Sequence, residues 1–264
     1  EKIIKLLIMF NTIFPKIHKE GYKFLAISIL ATFIVLFFSK FLGSIFILIS
    51  FWVYYFFRDP ERYSINDDSY LVSPADGLIT DISEKSGPEE LRLENTTFTK
   101  ISVFMNVFNC HVNRVPSSGK LEEIFYKPGK FLNASLDKAS EHNERNTITI
   151  ETDKDIRIGV IQIAGLVARR IVCFAKPQDE LNVGDRFGLI RFGSRLDIFL
   201  PEGVEPSVGL GQTAVAGETI IAHLSNKKLP WKCSLGHKWE SIVERRSSRG
   251  DGCPYCSNRK VLTG

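Results

Sequence analysis

Cysteine is scarce and poorly distributed for cross-linking. The 264 residues hold five, and three of them, Cys233, Cys253 and Cys256, fall within the last 32 positions. An odd, clustered set argues against a disulfide framework and points to a reducing compartment and a bound metal. Cys110 and Cys173 stand in apolar, strand-like surroundings and read as buried thiols. The chain has no low-complexity tract and no internal repeat, so no repeat array is in view. Residues 70–224 have no long helical period, which argues against a helical bundle there. The first residue is Glu1 rather than Met, which leaves the natural N-terminus open.

What is present is unevenly placed. Net charge is +4, yet residues 227–264 alone hold nine Lys/Arg against three Asp/Glu, so the rest of the chain is slightly acidic. Residues 24–38 (FLAISILATFIVLFF) and 41–57 (FLGSIFILISFWVYYFF) are almost wholly apolar, with Ser39 and Lys40 between them. Each is short for a span of about 20 residues, and together they predict a hairpin of two short membrane helices that crosses or dips from one side. Lys16, Lys19 and Lys23 precede it and Arg58 and Arg62 follow, which places both flanks on the cytoplasmic side. Trp52, Tyr54 and Tyr55 suit an aromatic interface belt. The competing reading is a buried hairpin of a soluble protein.

After Pro60 the pattern changes to short apolar–polar alternation, as in LVSPADGLITDIS, TKISVFMNVFN, IRIGVIQIAG and FGLIRFGSRLDIFL. Glycine, proline and Asn/Asp punctuate these runs, and they predict strands. Gly209, Gly211 and Gly217 mark turns. Residues 133–145 are polar and predict a loop or short helix over the site. The expected fold is a β-rich α+β catalytic domain, with a hydrophobic helical hairpin before it and a small zinc-ribbon-like domain after it. The expected boundaries are 1–60 for the N-terminal segment (hairpin 24–57), 61–224 for the catalytic domain, 225–230 for a linker and 231–264 for the zinc module.

Three stretches of the β-region carry candidate chemistry. Asp76 lies in the turn SPADG, where a turn aspartate is an ordinary sight. His111 is alone in an apolar strand pattern, where a core histidine is equally at home. Gly193-Ser194 interrupts the apparent strand RFGSRLDIFLP, where glycine usually marks a bulge.

Five segments in order, FFRDPER (56–62), SPADG (73–77), FMNVFNCHVNRVP (104–116), RFGSRLDIFLP (191–201) and GQTAVAGETIIA (211–222), resemble the short bacterial form of the phosphatidylserine decarboxylase family over roughly residues 10–224. The resemblance implies decarboxylation of phosphatidylserine to phosphatidylethanolamine through a Schiff base with a pyruvoyl group. That group would arise by self-cleavage between Gly193 and Ser194, passing through an ester and a dehydroalanine, and would leave a heterodimer of the two products. Ser194 would be the pyruvoyl precursor, Asp76 the acid supporting self-cleavage, and His111 the proton donor. The unperturbed imidazole pKa suits that work. Where longer relatives carry a second histidine, this chain has Arg114, so a complete triad cannot be copied over. Arg114, Arg191 and Arg195 are candidates for the lipid phosphate or carboxylate. The implied place is a bacterial inner membrane, with the catalytic domain on the cytoplasmic face.

The C-terminal stretch spaces Cys233, His237, Cys253 and Cys256 as C-x3-H-x15-C-x2-C. One Cys3His set fills a tetrahedral zinc ion with no open position, which makes the site structural. So small a module needs metal in place of a core. It resembles a treble-clef-like zinc-ribbon family. Its charge and aromatics permit nucleic acid, anionic lipid or protein as partner. Two rivals to the decarboxylase reading remain at this point: an inactive, membrane-tethered binding protein with a zinc module, and a pyruvoyl enzyme acting on a soluble amine acid.

Overall fold

The computed structural model describes residues 14–87, 91, 97–129, 142–153, 156–165, 170–191, 194–200, 204–224, 228–242, 253 and 255–256. Two apolar helices come first, α1 (Tyr22–Phe38) and α2 (Lys40–Phe56). Ser39, in an extended conformation, breaks the helical run and caps α2 by accepting from Leu42 N. Thr32 Oγ1 lies 3.0 Å from Ser50 Oγ and joins the two helices. The apolar surface turns outward: Phe37 is 86% and Phe41 74% exposed. With the short turn before it, the first helix (Lys19–Phe38, 20 residues) is long and apolar enough to cross a membrane.

Fifteen strands follow among the described residues: β1 (Tyr70–Val72), β2 (Gly77–Ser86), β3 (Thr97–Met105), β4 (Val112–Arg114), β5 (Gly119–Lys127), β6 (Arg145–Glu151), β7 (Arg157–Ala164), β8 (Ile171–Cys173), β9 (Glu180–Leu181), β10 (Arg186–Ile190), β11 (Ser194–Leu200), β12 (Thr213–Ala214), β13 (Ile220–His223), β14 (Lys228–Lys232) and β15 (Lys238–Ile242). Eight of them form one antiparallel sheet, in the order β12-β2-β3-β11-β7-β6-β5-β9. A three-stranded sheet, β4-β10-β8, and the pair β1-β13 complete the catalytic domain. Leu71, Ile101, Met105, Leu121, Ile148, Phe187, Ile198 and Leu200 belong to the main buried cluster. Strand β11 pairs with β3 on one side and β7 on the other, and all seven of its residues are buried.

The helices join this domain through a second apolar cluster of Val53, Phe56, Phe57, Cys110, Val112 and Leu189. Polar staples lie beside it. Asp59 accepts from Arg114 Nη2 at 3.2 Å and from Arg186 Nε at 2.7–2.8 Å. Arg114 also donates to the carbonyls of Pro60 and Gly184.

β10 ends at Ile190 and Ser194 opens β11, while Phe192 and Gly193 lie outside the described residues. Three expectations change. Residues 228–230, expected in the linker, already pair with β15 as a hairpin, because Lys238–Ile242 offers them a ladder partner. Cys173 is half-buried rather than buried. Of the loop expected over 133–145, positions up to 141 lie outside the described residues, and Arg145 already belongs to β6.

Removing one partner of a buried ion pair leaves an uncompensated charge, a loss of about 3–5 kcal/mol. Asp59→Ala is therefore expected to lower the thermal midpoint of the detergent-solubilised protein markedly. Glu61→Ala, on an exposed partner of Lys16, is expected to shift it little.

Candidate active site and metal centre

Ser194 is fully buried. Its backbone is held by the ladder opposite Met105 and Ala164, and alternation along β11 turns its side chain inward with Leu196 and Ile198. Its hydroxyl donates to Met105 Sδ at 3.9 Å.

His111 lies in the connection just before β4, not within a strand. It is fully buried and rests on Phe56, the last residue of α2, with ring centroids 4.3 Å apart. Nδ1 is 3.0 Å from the Asn109 carbonyl. A carbonyl only accepts, so Nδ1 carries the proton in the neutral ring and Nε2 is the lone-pair nitrogen. Burial pushes the imidazole pKa down to about 3; the charge of Arg58 adds to this, while the Asn109 bond opposes it. The histidine is thus held neutral at physiological pH, and its unperturbed value does not describe it here.

Asp76 sits in the expected turn, 7% exposed. It accepts from Arg62 Nη2 at 2.8 Å and from Ala216 N at 2.8 Å. Gly77 is required beside it, because a Cβ there would lie 2.2 Å from the Phe104 carbonyl oxygen. The charge of Asp76, second to burial, helps push the Cys110 thiol up to about 11. All five sequence segments therefore meet: Phe56 on His111, Arg62 on Asp76, Asp76 on Ala216, and Ser194 on Met105.

The three candidate arginines are not brought together. Arg114 (side chain 5% exposed) is committed to Asp59, Pro60 and Gly184, so its guanidinium staples the segment after α2. Arg195 (3% exposed) pairs with Asp197 on the face of β11 opposite Ser194. Arg191 (20% exposed) pairs with Glu20 and lies 5.3 Å from the Phe24 ring, at the root of α1. An aromatic hollow of about 350 Å³ opens near the end of α2, lined by Phe14, Phe51, Trp52, Tyr54, Tyr55 and Phe108.

Sequence reading missed Arg62 as the partner of Asp76, and it missed Asn113, Gln162 and Met105 around Ser194. Gln162 carried a signal, a lone amide in the apolar run IGVIQIAG.

In the C-terminal module, Cys233, His237, Cys253 and Cys256 place their ligand atoms within 4.8 Å of one another. Cys233 Sγ and Cys256 Sγ are 3.8 Å apart, and His237 Nδ1 lies 3.4–3.8 Å from the three sulfurs. Zinc bonds of about 2.3 Å to sulfur and about 2.0 Å to nitrogen in tetrahedral array require roughly 3.8 Å and 3.5 Å. The four donors fit zinc as they stand. Gly236, with φ at +86°, makes the turn that returns His237 toward Cys233.

The linkage sign for His111 follows from its lowered value. The unfolded chain binds a proton below about 6.5 that the folded chain refuses until about 3, so stability present above pH 6.5 is lost as pH falls toward 3. Urea midpoints are expected to fall over that interval, and His111→Phe is expected to flatten part of the slope.

Comparison with known proteins agrees with this geometry. The family "Phosphatidylserine decarboxylase" matches residues 49–222, and "Probable Treble clef zinc finger domain" matches residues 218–259. A phosphatidylserine decarboxylase proenzyme of Pelagibacter ubique is 59% identical over 214 residues, covering 81% of this chain and 99% of the relative. The proenzyme of Ruegeria pomeroyi is 54% identical over 216 residues, covering 82% and 99%. That of Rickettsia typhi is 48% identical over 219 residues, covering 83% and 95%. With its family segments gathered around Asp76 and His111, and with this degree of identity along most of its length, the chain belongs to the phosphatidylserine decarboxylase family.

Proposed function

We propose that the protein converts phosphatidylserine to phosphatidylethanolamine after cutting itself between Gly193 and Ser194. The observation that carries this reading is Ser194, fully buried as the first residue of the central strand β11, within a sequence shared with proenzyme relatives. The catalytic unit is residues 61–224, with the zinc module beyond it.

In self-cleavage, Ser194 Oγ attacks the Gly193 carbonyl carbon. The C–O bond forms, the C–N bond breaks, and the hydroxyl proton passes to the freed amine. Loss of the Gly193 carboxylate by elimination, then hydrolysis with release of ammonia, leaves a pyruvoyl group on the second chain. Once formed at residue 194, that group would supply an electrophilic carbonyl for the substrate amine and an electron sink for loss of CO2.

The side chains divide the remaining work. His111, neutral with its lone pair on Nε2, serves as the base for the Ser194 proton and later as the route by which a proton returns to substrate. Asp76, fixed by Arg62 and Ala216 N, supplies negative charge beside the loop that carries His111. Arg191, at the root of α1, is the arginine best placed for a lipid headgroup. Arg114 and Arg195 serve the framework. The apolar helices hold the domain at the membrane, so the site meets its substrate at the interface; the contact of Phe56 with His111 links that anchor to the chemistry. The cytoplasmic face follows from the flanking lysines and arginines. Cys233, His237, Cys253 and Cys256 would hold a zinc ion with no open position, and that ion would hold the C-terminal module together.

An intact-mass spectrum of the purified protein is expected to show two chains, ending at Gly193 and starting at residue 194, the second without a free amine. Ser194→Ala is expected to stay as one uncut, inactive chain; two fragments from that variant would overturn the mechanism. Metal analysis is expected to find one zinc per chain. Cys253→Ser should lose that zinc while self-cleavage continues.

A further inference from the structure

A chain of buried side-chain amides leads to Ser194. Asn146 Nδ2 on β6 donates to Gln162 Oε1 on β7 at 3.0 Å. Gln162 Nε2 donates across the core to Asn113 Oδ1 on β4 at 2.8 Å. Asn113 Nδ2 donates to Met105 Sδ on β3 at 3.6 Å. The Ser194 hydroxyl ends on the same sulfur. All five residues are 2% exposed or less.

The order of the links fixes their direction. Because Asn113 Oδ1 accepts from Gln162 Nε2, its NH2 faces Met105 and the serine side of the core. Space is kept for this chain: a Cβ on Gly188 of β10 would stand 2.6 Å from Gln162 Nε2. None of the three amides is needed by the backbone ladders, and apolar residues would fill the same volume without burying polar groups. Sulfur is a weak acceptor and methionine a pliant side chain. A hydroxyl resting on it is oriented yet lightly held, free to leave for the Gly193 carbonyl. A donor on the same sulfur from Asn113 keeps the thioether from drifting away.

We propose that Asn113, held by Gln162 and Asn146, is a positioning residue for self-cleavage and acts on Ser194 through the Met105 thioether. The proposal rests on the self-cleavage reading above. The covalent step is the one already written, in which the Ser194 O–C bond forms as the C–N bond breaks and the hydroxyl proton ends on the amine; it needs no further reactant.

The test follows conversion of freshly synthesised full-length chain into two fragments in detergent, for wild type, Asn113→Ala, Met105→Leu and the double variant. Each single variant is expected to slow cleavage about tenfold, the weight of one buried hydrogen bond. The double variant is expected to be no slower than the slower single, because both changes break one path. Met105→Leu keeps volume and packing, so it decides the matter if Asn113→Ala does not fold. Cleavage at the wild-type rate in Met105→Leu, or defects that multiply in the double variant, would overturn the proposal while leaving self-cleavage intact. An uncut wild-type chain would overturn both.

Discussion

The structure depends on the seven residues that leave α2. Phe56 closes the helix and lies against His111. Asp59 draws in two arginines from separate strands, Arg114 of β4 and Arg186 of β10. Arg62 reaches Asp76. One short segment thus ties the apolar helices, the three-stranded sheet and both candidate acid–base groups to each other. A charge pair of this kind is poor as a source of stability in itself. Its value here is geometric, since two arginines sharing one carboxylate admit few alternative arrangements.

The same joint sets the electrostatics. His111 is sealed between the end of an apolar helix and the protein core, and that seal removes the solvation its charged form would need. The imidazole is consequently a neutral base before any substrate arrives. Ser194 is sealed in the same way, with a thioether as its hydrogen-bond acceptor. The candidate nucleophile Ser194, the neutral imidazole of His111 and the carboxylate of Asp76 are each held by their own neighbours.

The C-terminal module follows a different logic. Its described part is one hairpin and four candidate ligands, and metal bonds there would do what a hydrophobic cluster does in the larger domain. All four candidate ligands come from the C-terminal module itself.

Much was legible along the chain because the signals are local. Unbroken apolar runs gave the two helices, with Ser39 at their boundary. Period-two alternation gave the strands. The spacing of Cys233, His237, Cys253 and Cys256 gave the ligand set, since turn geometry alone brings such residues together. Asp76, His111 and Ser194 stand out as candidates through ordered motifs. What only the tertiary structure decided depends on contacts between distant positions. Arg114 and Arg195 look like any arginines until Asp59 and Asp197 appear beside them. His111 has an ordinary titration until burial against Phe56 lowers it. Gln162 and Asn113 are 49 positions apart and meet only because β7 and β4 lie on opposite sides of one core. Periodicity reports which face of a strand is apolar. It carries no record of which strands become neighbours, because that is settled by the burial of the whole domain at once.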